Sequence, residues 1–179
     1  MTHLQFMDFF AGVGLAELGL VPPWVCVWAN DIDPKKKAIY DANFDGERYL
    51  LKNVEAVELA DLPAPVDMAW ASFPCQDLSL AGWRRGLSAT RSGTFWAFHR
   101  LMRELHERGQ RPPVIVIENV TGLLYGPDFT GLCEALAALG DGGTYRRQVN
   151  RSNPLRISSR TFLPTSTGIR PKRRRDCWT

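Results

Sequence analysis

No apolar run in these 179 residues approaches the roughly 18–20 needed for a membrane span, which excludes a transmembrane helix of ordinary length. The N-terminus, Met1-Thr2-His3-Leu4-Gln5, lacks the basic stretch of a secretory signal, so the cytoplasm is the expected compartment. Cysteine is sparse: Cys26, Cys75, Cys133 and Cys177 lie far apart. None forms a C-x-x-C pair or stands at ligand spacing from one of the three histidines, so no metal site is expected. In a reducing compartment all four are expected as thiols. Cys26 and Cys133, in apolar stretches, read as small buried hydrophobes.

What is present is the composition of a globular chain, 45% hydrophobic and 23% charged, long enough for one domain with a real core. The net charge of +3 hides an asymmetry. Residues 144–179 hold 10 Lys and Arg against one acid, whereas residues 1–143 hold 12 basic and 18 acidic residues. The charge split marks two segments, a domain over 1–143 and a basic, poorly patterned tail over 144–179, with little packed structure expected over 150–179.

The apolar runs mark the elements. Leu4–Phe10, Trp24–Ala29, Val66–Ala71 and Val114–Ile117 read as buried strands. Helices are expected after Gly14, from Pro34 through Tyr40 to Phe44, over Thr94–Glu107 and over Leu132–Leu139. Strands alternating with helices, as continuous apolar runs, predict an α/β fold with a mostly parallel sheet covered on both faces. Such sheets bind ligands at the carboxyl ends of their strands. Asp8 to Gly14, Asp31, Cys75 and Glu118 all come directly after predicted strands.

Each of these features has a chemical reading and a plainer one. Phe10-Ala11-Gly12-Val13-Gly14 is a glycine turn between strand and helix, suited to close approach of a nucleotide, though such turns also serve structure alone. Asp31, about 20 residues on, stands where a ribose-binding acid falls in a dinucleotide-type domain; Asp31 or Asp33 could equally cap the helix opened by Pro34. Cys75, in Ser72-Phe73-Pro74-Cys75-Gln76, has the setting of a partly exposed reactive thiol, or of a buried one. Glu118 directly after a buried strand is poised for chemistry or reaches solvent, and Asn119 could cap the next element of the chain.

Taken together, Asp8-Phe9-Phe10-Ala11-Gly12-Val13-Gly14, Phe73-Pro74-Cys75-Gln76 and Glu118-Asn119-Val120, in this order, resemble the DNA cytosine-C5 methyltransferases. Asn30-Asp31-Ile32-Asp33 with Asn43-Phe44, Ser79, and Arg91-Ser92-Gly93-Thr94 agree with further motifs of that family, so the likeness spans about residues 5–125. The resemblance implies a Rossmann-like S-adenosylmethionine-dependent fold, incomplete at its C-terminus. It implies methyl transfer to C5 of a cytosine flipped out of double-stranded DNA. Cys75 and Glu118 would be catalytic, and Phe10, Ala11, Gly12, Gly14, Asp31, Ile32, Asn53 and Pro74 would hold the cofactor. Gln76, Ser79, Arg84, Arg85 and Arg91 would meet DNA, the arginines through phosphates; a solvated loop is their plainer reading.

Departures matter too. Leu15 replaces a frequent glycine and Asn53 replaces a usual acid. The family's later Gln-x-Arg-x-Arg motif is not recognisable, since Arg146-Arg147-Gln148 and Arg173-Arg174-Arg175 do not match its order. The target-recognition region and the last motif, which completes the cofactor wall, are also missing. A split enzyme completed by a second polypeptide, a fragment, or a reading frame shifting near residue 145 would each account for this, and the arginine-rich tail favours the last. Weak or absent activity is expected of this chain alone. Two alternatives stay open: a non-catalytic nucleic-acid-binding fragment and a tRNA cytosine methyltransferase of the same fold.

Overall fold

The computed structural model describes residues 3–74, 93–120, 123, 128–139, 144–149 and 157–163. Its elements run β1 (Leu4–Phe9), α1 (Leu15–Gly19), β2 (Trp24–Asp31), α2 (Pro34–Asp41), β3 (Tyr49–Leu51), β4 (Met68–Ala71), α3 (Thr94–Glu107), β5 (Val114–Val120), α4 (Asp128–Ala137), β6 (Thr144–Val149) and β7 (Ile157–Leu163). They build one sheet in the order β3-β2-β1-β4-β5-β7-β6. The first five strands are mutually parallel, and β7 runs antiparallel to both β5 and β6. The chain thus leaves β1 outward to β2 and β3, then returns to β4 on the other side. The carboxyl ends of β1 and β4 flank that reversal, where open α/β sheets form their binding crevice.

Side chains alternate between two cores. Met7 and Phe9 of β1, Ala69 and Ala71 of β4 and Ile115 and Ile117 of β5 face α3 and α4. Phe6, Met68 and Val116 face the opposite layer, with Tyr40 of α2. On α3, Phe95, Phe98, Leu101, Met102 and Leu105 recur at helical spacing and are all buried. At roughly 1.5–3 kcal/mol for each large side chain removed from water, that stripe anchors the helix by itself. No residue of α1 is buried, and Leu15 and Leu18 are each 70% exposed. The periodicity that marked this helix in the sequence faces outward.

The expectation of little packed structure over residues 150–179 is corrected for residues 157–163. Thr144–Val149 and Ile157–Leu163 are strands of the main sheet, and β7 pairs along Val114–Val120 from Ile115↔Phe162 to Val120↔Ile157. Strand pairing is carried by the backbone, and the sequence here offers Tyr145, Val149, Thr161 and Phe162, residue types frequent in strands. The arginines between them erase the apolar run that would have marked a strand.

Candidate functional site

The site begins where β1 stops. Phe10 takes a left-handed backbone (φ 61°), as do Gly12 (φ 60°) and Gly14 (φ 90°). For a phenylalanine this conformation costs on the order of 1–3 kcal/mol and persists only where the surroundings impose it. They do so here: Ala11 N–H donates to Asn30 O at 2.8 Å, Gly14 N–H to Ala11 O at 2.9 Å, and the Tyr49 hydroxyl to Gly12 O at 3.1 Å. The two glycines differ. A Cβ on Gly12 would meet only Lys36 Cδ and Phe10 O, both 4.0 Å away, so its outer face is open. A Cβ on Gly14 would lie 2.5 Å from Phe44 Cε2.

Asp31 closes the turn from β2. Its Oδ2 accepts from Gly12 N–H at 3.1 Å and pairs with Lys36 Nζ at 3.3 Å, while its Oδ1 accepts from Asp33 N–H at 3.0 Å. The capping role falls to Asp33, whose side chain accepts from Lys35 N–H at 2.8 Å. Ile32 is 63% exposed beside it. Asn53 is spent locally, accepting from Glu55 N–H at 3.0 Å to cap the turn Val54–Ala56. Helix α1 is held by a polar clasp: Glu17 accepts from the Tyr40 hydroxyl and from Arg48, each at 2.6 Å, and Arg48 also donates to Cys26 O. Sequence reasoning missed this clasp, because polar contacts between distant residues leave no periodic trace.

On the other side of the reversal, β4 leads through Ser72, Phe73 and Pro74 towards Cys75. Cys75 itself, with Gln76, Ser79, Arg84, Arg85 and Arg91, lies outside the described residues. The approach to it is fixed from β5: Asn119 Nδ2 donates to Phe73 O at 2.8 Å, a buried bond. Asn119 is therefore a brace across the two strand ends. Phe73 also stacks edge-on against Phe10 at 6.3 Å between ring centroids, joining the cysteine segment to the glycine turn.

Register brings these pieces into line. Phe9 pairs with Asn30 and with Ala71, and Ala71 pairs with Ile117. One step further along the strands lie Asp31, Ser72 and Glu118 on one face, while the left-handed turn at Phe10 sends its ring to the other face, against Phe73 and the α3 core. Three strand spacings separate Asp31 from Glu118, about 14 Å, enough room for one extended nucleoside-sized ligand between two carboxylates. Glu118 is half-buried, and that burial pushes its carboxyl above the usual glutamate range, offset in part by a hydrogen bond from Ser72.

Asp8 lies one row deeper. It is 1% exposed, and neither carboxylate oxygen has a hydrogen-bond partner among the described residues. Burial above all, with Glu17 and Asp31 adding repulsion, raises its pKa well above the ordinary 3.8. A raised folded pKa means that the stability tied to protonated Asp8 is complete below pH 3.8 and is lost as pH rises through the folded value. Each pH unit between the two values is worth about 1.4 kcal/mol. Melting curves between about pH 4 and 8 should show Asp8→Asn gaining on the parent as pH rises; a constant difference across that range would contradict this account. The lone thiol of Cys26, pushed up to about 12 chiefly by burial, is inert in this setting. Among the described residues, no cluster of His, Cys, Asp or Glu is arranged to hold a metal ion, and no helix is long and apolar enough to cross a membrane.

A family model of C-5 cytosine-specific DNA methylases matches residues 4–150. The chain belongs to that family. It is 34% identical to the type II methyltransferase M2.BsuMI of Bacillus subtilis, over 80% of this chain and 36% of that protein. It is also 34% identical to M.AluI of Cellulosimicrobium cellulans, over 69% of this chain and 23% of that one. Among solved structures, Dnmt2 methyltransferase of S. pombe superposes with a TM-score of 0.68 at 19% identity, covering 93% of this chain and 53% of its own. That likeness concerns the fold. This C-5 methylase chain spans roughly a quarter to a third of the length of the two curated relatives.

Proposed function

We propose that this chain carries the catalytic core of an enzyme that methylates C5 of cytosine in double-stranded DNA. The observation that carries the reading is the alignment of Asp31, Ser72 and Glu118 at the carboxyl ends of β2, β4 and β5, with Phe73, two residues before Cys75, braced by Asn119 and packed on Phe10 of the glycine turn. The residues fit S-adenosylmethionine: an open left-handed glycine at Gly12, a carboxylate at its edge and an aromatic ring at Phe10. When bound, S-adenosylmethionine supplies an electrophilic methyl group. Asp31 would take its ribose hydroxyls, Gly12 and Gly14 would admit its backbone-facing side, and Phe10, Ala11, Ile32 and Pro74 would line it. Asn53, already engaged in a cap, is the weakest member of that set.

C5 of cytosine is not nucleophilic by itself. Cys75 as thiolate adds to C6 of the flipped base, and Glu118 gives its proton to N3, so that negative charge does not build up on the ring. The electron pair then resides at C5. Once C5 carries the methyl group, loss of the C5 proton expels Cys75 and restores the double bond. Burial raises the Glu118 carboxyl above the usual glutamate range, the direction in which a proton donor is tuned. Gln76, Ser79, Arg84, Arg85 and Arg91 would contact DNA around this point.

A further polypeptide segment would complete the site. Leu15 and Leu18, each 70% exposed on the helix that follows the glycine turn, form an apolar edge that such a segment would cover. The test is covalent trapping. With labelled S-adenosylmethionine and DNA containing 5-fluorocytosine, a stable protein–DNA adduct is expected that disappears in Cys75→Ser. Cofactor binding without an adduct assigns the missing step to that further segment. No cofactor binding at all would end the proposal.

A further inference from the structure

Ser72 stands between the glycine turn and Glu118, one register step beyond the Ala71↔Ile117 pair and on the same face of the sheet. Two residues earlier on that face, the Trp70 indole N–H donates to Ser72 Oγ at 2.8 Å. The next register step places Ser72 beside Glu118 across the β4–β5 seam, and Ser72 is a side chain whose hydrogen bonding lowers the proton affinity of that carboxyl. A serine has a single hydrogen to give, and an N–H donor on Oγ directs that hydrogen away from the indole. The chain Trp70→Ser72→Glu118 therefore has a defined polarity.

We propose that Ser72, oriented by Trp70, is the positioning residue of Glu118: it ties down one carboxyl oxygen and leaves the other as the one that carries the proton towards the base. The consequence for the reaction rests on the reading of Glu118 as proton donor to cytosine N3, whereas the link itself does not. Burial and Ser72 act on Glu118 in opposite directions, and among the described residues no charged side chain joins them. From β4 the facing groups are Trp70 and Ser72; on β7, Ser159 stands opposite Glu118 and Arg160 opposite Ile117. Hydrogen bonds to an ionised carboxylate are among the stronger ones, so removal of this one should be measurable.

The experiment is an NMR titration of the chain carrying 13C-labelled glutamate side chains, with Glu118→Gln used to assign the signal. Ser72→Ala is expected to raise the Glu118 titration by about one pH unit, a tenfold rise in proton affinity. Ser72→Thr should keep it close to the parent, and Trp70→Phe should move it part of the way upward. A Glu118 signal unmoved in Ser72→Ala overturns the proposal. So does one unmoved in Trp70→Phe, which decides the matter should the alanine variant not fold. Adduct formation on 5-fluorocytosine DNA separates the two levels. A shifted titration combined with an adduct rate indifferent to Glu118→Gln upholds the link and removes the assignment of Glu118 to the base.

Discussion

Gly14→Ala is expected to lower the stability of the domain by about 2–5 kcal/mol, while Gly12→Ala lowers it by about 1 kcal/mol and weakens cofactor binding instead. Both positions have a left-handed backbone, at φ 90° and 60°, so each alanine carries some strain. The difference lies in what the new methyl group meets. At position 14 it would sit 2.5 Å from Phe44 Cε2 and 3.0 Å from Tyr40 Cδ2. Neither ring can easily give way: Phe44 packs on Tyr40 at 4.9 Å between centroids, Tyr40 packs on Tyr49 at 4.7 Å, and the Tyr40 hydroxyl is held by Glu17. At position 12 nothing among the described residues lies closer than 4.0 Å, and that open space is where a ligand would approach the backbone. Urea denaturation and calorimetric titration with S-adenosylmethionine measure the two effects separately. Equal stability losses in the two variants would show that the packing distinction is wrong.

Both glycines belong to a turn that the sequence already marked, yet only the folded chain separates their roles. The buried strands Leu4–Phe9, Trp24–Asp31, Met68–Ala71 and Val114–Val120 were legible because a strand covered on both faces must be apolar throughout. Helix α3 was legible to the residue, since Phe95, Phe98, Leu101, Met102 and Leu105 recur at helical spacing. Asp31 and Glu118 stood out as acids placed directly after such runs. That Asp31, Ser72 and Glu118 are aligned at neighbouring strand ends was not legible. Strand order and register are set by contacts between segments far apart in the chain, and no local pattern encodes them. Strands β6 and β7 escaped for the opposite reason: their backbones pair, but their arginines and serines mask the strand signature. Asn119 and Asn53 were seen as interesting without their partners, Phe73 O and Glu55 N–H, which only the folded chain supplies.

Glu118→Gln is expected to slow covalent adduct formation by roughly two to four orders of magnitude, the usual effect of losing a positioned proton donor. Glutamine has nearly the same shape. Its carbonyl can still accept from Ser72, and its amide can still donate a hydrogen bond to N3 of a flipped cytosine. What it cannot do is release a proton as Cys75 adds to C6. Binding of the base should therefore survive while the step that charges the ring is lost, so the change should fall on the rate constant and leave DNA affinity nearly intact. The pH dependence supplies a second sign. The carboxyl of Glu118 is raised by burial, so the parent should react fastest while that proton is still bound and lose rate as pH climbs past its titration. The glutamine variant has no such proton, and its rate should lack that descending limb, tracking only the ionisation of the thiol. Single-turnover trapping on 5-fluorocytosine DNA across about pH 5.5–8.5, in the preparation that gives the parent adduct, reads both. A glutamine variant within about tenfold of the parent, with the same descending limb, would remove Glu118 from the chemistry and leave its raised pKa as a consequence of burial alone.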